Sequence, residues 1–408
     1  MKTEVLIIGA GPAGCSAAYT LGKAGVDCVL VDKAVFPRDK ICGDGLSGYV
    51  KTMMTRLDED LFSSLSSFSK ALPSYGVRFV SPSGIPLDIP FNPDSPYDGE
   101  AAGYVCKRID FDDLLFNALN KFHSIKCITG KKAMEVNISE QGVGVELEDK
   151  TKIESKIIIV STGAQSVFGK KISGYKQDKK CFIGGVRSYY SNVEMEGKGN
   201  YIELHFLNEY LPGYFWIFPL SDNLCNVGAG IRSDVIGKKK INLSSLLLDS
   251  IQNNESLKNR FKNAMQVDPI KGFGLPLGSK RMKVSGDRYF LAGDAASLID
   301  PFTGEGIGNA MRSGIMSAEE SISCLNENNF SATRTKAYDQ KLFSKIGKEL
   351  KLSTTMQSLL KYPWLFNKVA KKASRNKELR DTISAMMTDF DIKARLKEPS
   401  FYFKILFG

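Results

Sequence analysis

The sequence predicts an α/β protein: a Rossmann-type nucleotide-binding domain, interrupted by an inserted antiparallel sheet and followed by a helical C-terminal region. Three observations predict it. An apolar strand, Glu4–Gly9 (EVLIIG), runs directly into a glycine-patterned turn and an alanine-rich helix. Buried-type strands return far downstream as KIIIVSTG and RYFLA, so the domain is assembled from discontinuous pieces. Between them, ELHFLNEYLPGYFWIFPL alternates aromatic and small residues in the manner of an antiparallel sheet.

Taken in order, Ala10–Gly25 continues the first strand as a turn and helix, and Val26–Asp32 (VDCVLVD) completes a βαβ unit. Residues near Leu72–Pro96, rich in Pro, Ser and Gly, read as irregular strands leaving that unit. Asp110–Phe122 reads as a helix with Asp110 as its N-cap. Val143–Ile159 reads as a hairpin feeding the next buried strand, and Phe182–Ile231 as the inserted sheet. Arg288–Ala292 is a further parallel strand, Gly304–Leu325 a helix, and everything after about Ser331 helical. The division is residues 1–70, 101–175 and 270–330 for the nucleotide-binding domain, 71–100 and 176–269 for the inserted sheet, and 331–408 for the basic helical region.

The bulk properties exclude several classes. A chain of 408 residues with 43% hydrophobic and 25% charged residues is neither disordered nor fibrous. No apolar run approaches the roughly 20 residues of a spanning helix. The apolar N-terminus continues into a turn and helix without a cleavage site, so it reads as a core strand and the protein as cytoplasmic. The eight cysteines are scattered, with no CxxC pair, and His123 and His205 are the only histidines. Metal sites need clustered ligands, so no metal is expected and the chemistry falls to an organic cofactor. From Ser331 to Gly408 there are 17 Lys+Arg against 7 Asp+Glu, which accounts for the whole net charge of +10.

Gly9-Ala10-Gly11-Pro12-Ala13-Gly14 is a GxGxxG at a strand-to-helix junction. Gly9 permits the turn, Gly11 lets backbone approach a pyrophosphate, and Gly14 lets helix and strand pack closely. Asp32, 18 positions after Gly14, ends the second strand where a ribose hydroxyl is recognised. The downstream segment RYFLAGDAASLIDPFTGEGIG separates FAD from NAD. Asp294 after a strand suits a ribityl hydroxyl. The turn Gly304-Glu305-Gly306-Ile307-Gly308 would bring N–H groups and a positive helix end to the flavin N1/O2 edge.

At this point the chain resembles FAD-dependent oxidoreductases of the aromatic-hydroxylase fold, and within them the geranylgeranyl reductase family. The resemblance is carried by Phe36-Pro37-Arg38-Asp39-Lys40-Ile41-Cys42-Gly43-Asp44-Gly45-Leu46-Ser47, by Arg108…Phe111-Asp112…Leu115, by Gly293-Asp294 and by Tyr214-Phe215-Trp216-Ile217-Phe218-Pro219. It spans about residues 1–330. It implies that Asp32 holds the adenosine ribose, Arg108 contacts the cofactor and Ala133 lies by the adenine. It implies further that Asp294 meets the ribityl–phosphate region, Gly304, Gly306 and Ile307 the isoalloxazine, and Cys42 and Gly43 its substrate side. Tyr214 and Trp216 would line the substrate cavity, and Cys42, Tyr214 and Trp216 are the candidate catalytic residues. The expected activity is reduction of C=C bonds in an isoprenoid or similar lipid, by hydride from reduced flavin.

Two features keep rival activities in view. Hydroxylases of this fold carry an Asp-Gly motif where this chain has Ser161-Thr162-Gly163-Ala164-Gln165-Ser166, which favours a reductase. The segment Tyr214–Pro219 also resembles the halogenase Trp-x-Trp-x-Ile-Pro signature, with Tyr for the first Trp, so a flavin-dependent monooxygenase or halogenase is the first rival. An electron-relay flavoprotein serving a membrane quinone is the second. A single dinucleotide fingerprint leaves the donor open between NAD(P)H and a ferredoxin-like protein.

Local readings complete the expectation. Cys42 is either a redox or proton-donating thiol, favoured as thiolate if Arg38 and Lys40 face it, or a small residue at a tight turn. His205, in the strand ELHFL, could face the substrate. The basic C-terminal stretches, such as LLKYPWLFNKVAKKA and the closing FYFKILFG, read either as an amphipathic face on anionic membrane or as a cap on the catalytic body. The expected partner is thus an apolar small molecule or lipid. No nucleic-acid module is present, and the oligomeric state is open.

Overall fold

In the computed structural model, residues 1–165, 167–174 and 178–388 are described. The closing FYFKILFG and Ser166 lie outside them.

The first sheet is built on Lys2–Ile8, whose last four residues are fully buried. It pairs in parallel with Lys152–Val160 on one side and Cys28–Val31 on the other, with Ile7 opposite both Ile159 and Leu30. Ile125–Ile128 and Tyr289–Leu291 extend the parallel sheet outward on the two sides. Burial on both faces explains why Val5–Ile8, Cys28–Val31, Ile157–Val160 and Tyr289–Leu291 read as unbroken apolar runs rather than alternating ones. The hairpin of Ala133–Ser139 and Gly142–Leu147 adds to Lys152–Val160 in antiparallel fashion.

The first helix, Pro12–Lys23, starts at Gly11 with Pro12 pre-shaped for its first turn. It crosses the helix Ile307–Asn326 through bare backbone, since a Cβ on Gly314 would strike the carbonyl of Ala13. The helix expected from Asp110 instead begins at Arg108, with Lys107 as N-cap, and ends at Asn117. Asp110 lies in its first turn, where a carboxylate suits the exposed N–H groups.

The inserted sheet runs Met265–Gln266, Phe182–Ser191, Leu224–Arg232, Gly213–Leu220, Ile202–His205, Gly76–Val80 and Pro86–Pro90, with Lys271–Pro276 also paired to Phe182–Ser191. It is antiparallel except between Ile202–His205 and Gly76–Val80, which run parallel. Those two strands belong to separate excursions of the chain, so no hairpin forces them to alternate. A small third sheet joins Gly45–Leu46, Gly103–Val105 and Leu72–Ser74.

After Ser331, whose hydroxyl accepts from Arg334 N, the chain forms a helix from Ala332 to Leu359. Tyr338, Leu342, Ile346 and Leu350 recur every four residues on its inner face, and all are buried in the core of the nucleotide-binding domain. That helix therefore caps the catalytic body. Shorter helices follow at Pro363–Ala373 and Lys377–Thr388. Among the described residues no helix is long and apolar enough to cross a membrane.

Candidate active site

The glycine turn comes first because its geometry decides what it can hold. Gly9 has φ of +101°, and a Cβ there would press on the Ser161 carbonyl. A Cβ on Gly14 would run into the carbonyl oxygen of Gly9. Gly11 differs, for a Cβ there would meet nothing nearer than Arg38 Nη2 at 3.6 Å. Two glycines thus serve packing, while the third leaves open space over a helix N-terminus. Asp32 accepts from Ala10 N at 2.6 Å and Ala34 N at 2.8 Å, which fixes its carboxylate beside the turn. Ala133 is buried at the start of its strand, and the segment before it is tied to the Asp32 loop by Lys131 N donating to Asp32 O.

Arg38 is the cation of this groove. Its Nη1 lies 2.7 Å from Asp112 Oδ2 but is poorly aligned, and it is buried with no hydrogen-bond partner. A guanidinium with an unsatisfied N–H beside an open glycine turn suits a pyrophosphate. Beyond it, Gly163 takes φ of +77° with open space around its Cβ position. Asp294 faces Gly306, with Oδ1 3.7 Å from the Cβ position, and Lys40 reaches Asp294 Oδ2 at 2.9 Å. Gly306 caps the helix Ile307–Asn326, whose first residue is buried. The residues present therefore fit FAD, from Asp32 through Gly11 and Arg38 to Asp294 and the Gly304–Ile307 turn.

Arg108, the residue expected to contact the cofactor, is held inside the body of the protein. It is fully buried, with Nε and Nη2 on the two oxygens of Asp112 at 2.7 and 2.8 Å. Burial works against its charge, yet Asp112 and the neighbouring Cys42 side chain hold it above the ordinary arginine value. Arg108 thus interacts directly with the Cys42 side chain. Arg38 and Lys40, which would favour the thiolate if they faced it, pair with Asp112 and Asp294.

The turn from Asp300 to Gly306 is held from three directions. Asp300 accepts from Phe302 N, Thr303 N and Ser353 Oγ. Gln357 Nε2 donates to Pro301 O at 2.7 Å, so the C-terminal helix grips the turn twice. From the inserted sheet, Tyr214 OH donates to Thr303 O at 2.5 Å and lies against Gly304, where φ is +73°. Glu305 accepts from Gly308 N at 2.7 Å, and burial pushes its carboxyl up to about 7.

Sheet register decides which aromatics see this turn. Tyr214, Trp216 and Phe218 alternate onto one face of their strand. Gly228 and Gly230 sit opposite Trp216 and Tyr214, and a Cβ on Gly228 would collide with the indole. The row of glycines makes a flat floor. A small apolar cavity opens there between Tyr214, Trp216, Phe273 and Leu360, bordered by Phe302 and Gly304. His205 pairs with Phe215 and so lies on the opposite face, where its Nε2 is 3.0 Å from Glu203 and its ring meets Phe215 edge-on. It does not face the cavity.

A buried polar cluster, not visible as a motif, lies under the Cys42–Gly43 loop. Asn226 accepts from Trp216 Nε1 at 2.9 Å and donates to Cys42 O at 2.8 Å and Asp44 Oδ2 at 2.7 Å. Tyr189 OH also donates to Asp44 Oδ2, at 2.8 Å. Burial pushes the Asp44 carboxyl up to about 6, against the pull of these donors and of Arg187 and Arg108. Gly43 packs on Phe218, 3.1 Å from its Cβ position. Tyr214 and Trp216 thus line the cavity, and the Cys42 loop is tied to that wall through Asn226. The only sequence signal for the cluster is a polar pair, Asn226 and Tyr189, on one rung of a strongly apolar sheet.

Residues 2–48 match the family described as FAD binding domain. Over 324 residues the chain is 29% identical to a menaquinone reductase of Mycobacterium tuberculosis, covering 78% of this chain and 76% of that one. Over 371 residues it is 27% identical to a digeranylgeranylglycerophospholipid reductase of Methanosarcina acetivorans, covering 87% and 84%. Among solved structures, a geranylgeranyl bacteriochlorophyll reductase-like protein of Thermoplasma acidophilum superposes with a TM-score of 0.81 at 23% identity, over 97% and 98% of the two chains. A flavin-dependent brominase superposes with 0.76 at 21% identity, over 98% and 100%. These two likenesses establish a shared fold.

Proposed function

We propose that this FAD-dependent oxidoreductase, which is similar to the geranylgeranyl reductases, reduces isolated C=C bonds in the isoprenoid chain of a lipid. One observation carries this reading: the apolar cavity abuts the flavin-side turn, with Tyr214 bonded to Thr303 at their junction. A chain without polar handles must be held by area, and an aromatic wall over a glycine floor offers area. The relatives named for menaquinone and for a digeranylgeranyl lipid support a lipid substrate.

FAD, when bound and reduced, supplies hydride. The protein's residues do the rest. Trp216, Phe273 and Leu360 bind the apolar chain and exclude water. Asn226 and Asp44 hold the Cys42 loop against Trp216. The Cys42 thiol, beside Arg108, holds the proton that joins the second carbon as hydride joins the first. Tyr214 is a weaker candidate for that proton, since burial raises its hydroxyl above the ordinary tyrosine value and its hydrogen already goes to Thr303 O. The electron donor, NAD(P)H or a ferredoxin-like protein, is left to experiment.

The test is anaerobic. The holoenzyme is reduced with dithionite and given geranylgeranyl-bearing lipids or a prenylated quinone, and flavin reoxidation is followed with product mass. A gain of roughly two mass units per bond that survives exposure to air supports the reading. A quinone that gains two units and loses them in air has been reduced at its head group, and the electron-relay reading replaces this one. Oxygen-dependent reoxidation with oxygen or halogen entering an aromatic acceptor would place the chain with the monooxygenases. A Cys42→Ala variant that keeps its flavin and full turnover would remove the thiol from the proton step.

A further inference from the structure

We infer that the turn and helix following the cavity-lining Leu360 form a docking edge for an anionic lipid bilayer. From Lys351 to Lys377 the chain carries seven basic residues and no acidic one. The helix Pro363–Ala373 divides this stretch cleanly. Phe366, Ala370 and Ala373 form its inner stripe, with Phe366 against Phe206 at a ring distance of 4.7 Å and both alanines buried. Trp364, Lys368 and Lys371 fall at spacings of four and three on the outer stripe, and all three are exposed.

Two large aromatics break the rule for an ordinary cationic surface. Trp364 is 63% exposed and Tyr362 53% exposed, and they flank Pro363 at the start of the helix. Isolated exposed apolar residues are unremarkable, but Trp and Tyr together beside lysines match the composition of a membrane–water interface. Lys361, Lys371 and Lys377 are exposed and make no ion pair among the described residues. The edge is also placed usefully. Leu360 and Gln357 border the apolar cavity, and Tyr362 follows Leu360 by two residues. A bilayer on this edge would lie beside the cavity rather than across the molecule from it. The aromatic pair supplies interfacial anchoring and the lysines supply attraction to anionic headgroups.

The inference extends the lipid-substrate reading but is tested without turnover, so the two can fail separately. FAD-loaded protein is mixed with vesicles of phosphatidylcholine alone or with 30% phosphatidylglycerol, and partition is measured by sedimentation at low and high salt. Binding confined to anionic vesicles, weakened severalfold by salt, is expected. The emission of Trp364, isolated as the difference from Trp364→Phe, should shift to the blue and be quenched by brominated acyl chains. A Lys361→Glu/Lys371→Glu/Lys377→Glu variant should lose tenfold or more in partition, and Trp364→Ala severalfold. Both should keep their flavin absorbance and their activity on detergent-dispersed substrate. No partition, or equal partition by the charge-reversed variant, overturns the inference. Binding to nucleic acid or to a protein through the same residues, with none to vesicles, overturns it equally.

Discussion

Trp216 is joined to Cys42 by a single side chain, Asn226, which accepts the indole N–H and donates to the Cys42 carbonyl. The aromatic wall of the cavity and the loop bearing the candidate thiol are therefore one unit. Asn226→Leu should leave the indole N–H unpaired and release the loop. A stability loss of about 2–4 kcal/mol is expected for such a buried break. Turnover should fall about tenfold or more while flavin content stays measurable, as read by thermal melts and steady-state kinetics. Unchanged turnover in a folded variant would show that the bridge does not matter to the reaction.

The two glycines of the first turn should behave differently. Gly14→Ala drives a methyl group into the Gly9 carbonyl, so soluble yield and melting temperature should collapse. Gly11→Ala meets only Arg38 at a distance of 3.6 Å. Its apoprotein should fold with a native circular dichroism spectrum, yet copurify with little FAD. Arg38→Ala should likewise lose FAD affinity, by about tenfold, the usual scale of one charge-assisted contact.

Tyr214→Phe keeps the cavity wall and removes only the bond to Thr303 O. The turn retains Asp300, Ser353 and Gln357, so the fold should hold within about 1 kcal/mol. The expected result is a kcat reduced about three- to tenfold with little change in KM. A KM effect alone would mean that the hydroxyl meets substrate rather than the turn.

Asp44 gives the protein a pH signature. Its folded-state carboxyl is raised to about 6 from an ordinary value near 3.8, because it is buried. The folded state then binds the proton more tightly than the unfolded chain does. The stabilisation is fully present below about pH 4 and is lost as pH rises through about 6. This group alone should lower stability across that window by up to about 3 kcal/mol. Asp44→Asn, which tolerates the φ of +67° at this position, should flatten the window although it is less stable overall. Denaturant titrations from pH 4 to 8 on both proteins measure the difference.

An FAD-binding segment was legible in residues 2–48 because its chemistry is local, and the expectation for Gly293–Gly308 rests on the same kind of signal. Gly9, Gly11, Gly14 and Asp32 stand within one βαβ unit, and the Gly293–Gly308 stretch spans one strand, turn and helix. The aromatic wall was legible as a pattern, but its facing was not. Only register puts Trp216 on the cavity and His205 on the far side. The Asp44 cluster was not legible as a motif. Asn226 and Tyr189 lie 182 and 145 residues from Asp44, and neither stands in a spacing that a motif would reveal. Arg108 shows the same limit: its buried pairing with Asp112 could not be read from sequence.

The crossing of the first helix over Ile307–Asn326, with Gly314 pressed on the Ala13 carbonyl, bears on how related sequences should be compared. At such a contact any side chain larger than hydrogen is excluded whatever the enzyme catalyses. Glycine retained at 314, or at 14 beside the Gly9 carbonyl, records a steric veto and says nothing about substrate. Divergence of activity among relatives would instead be written at Tyr214, Trp216, Phe273 and Leu360, where the chain has room to drift.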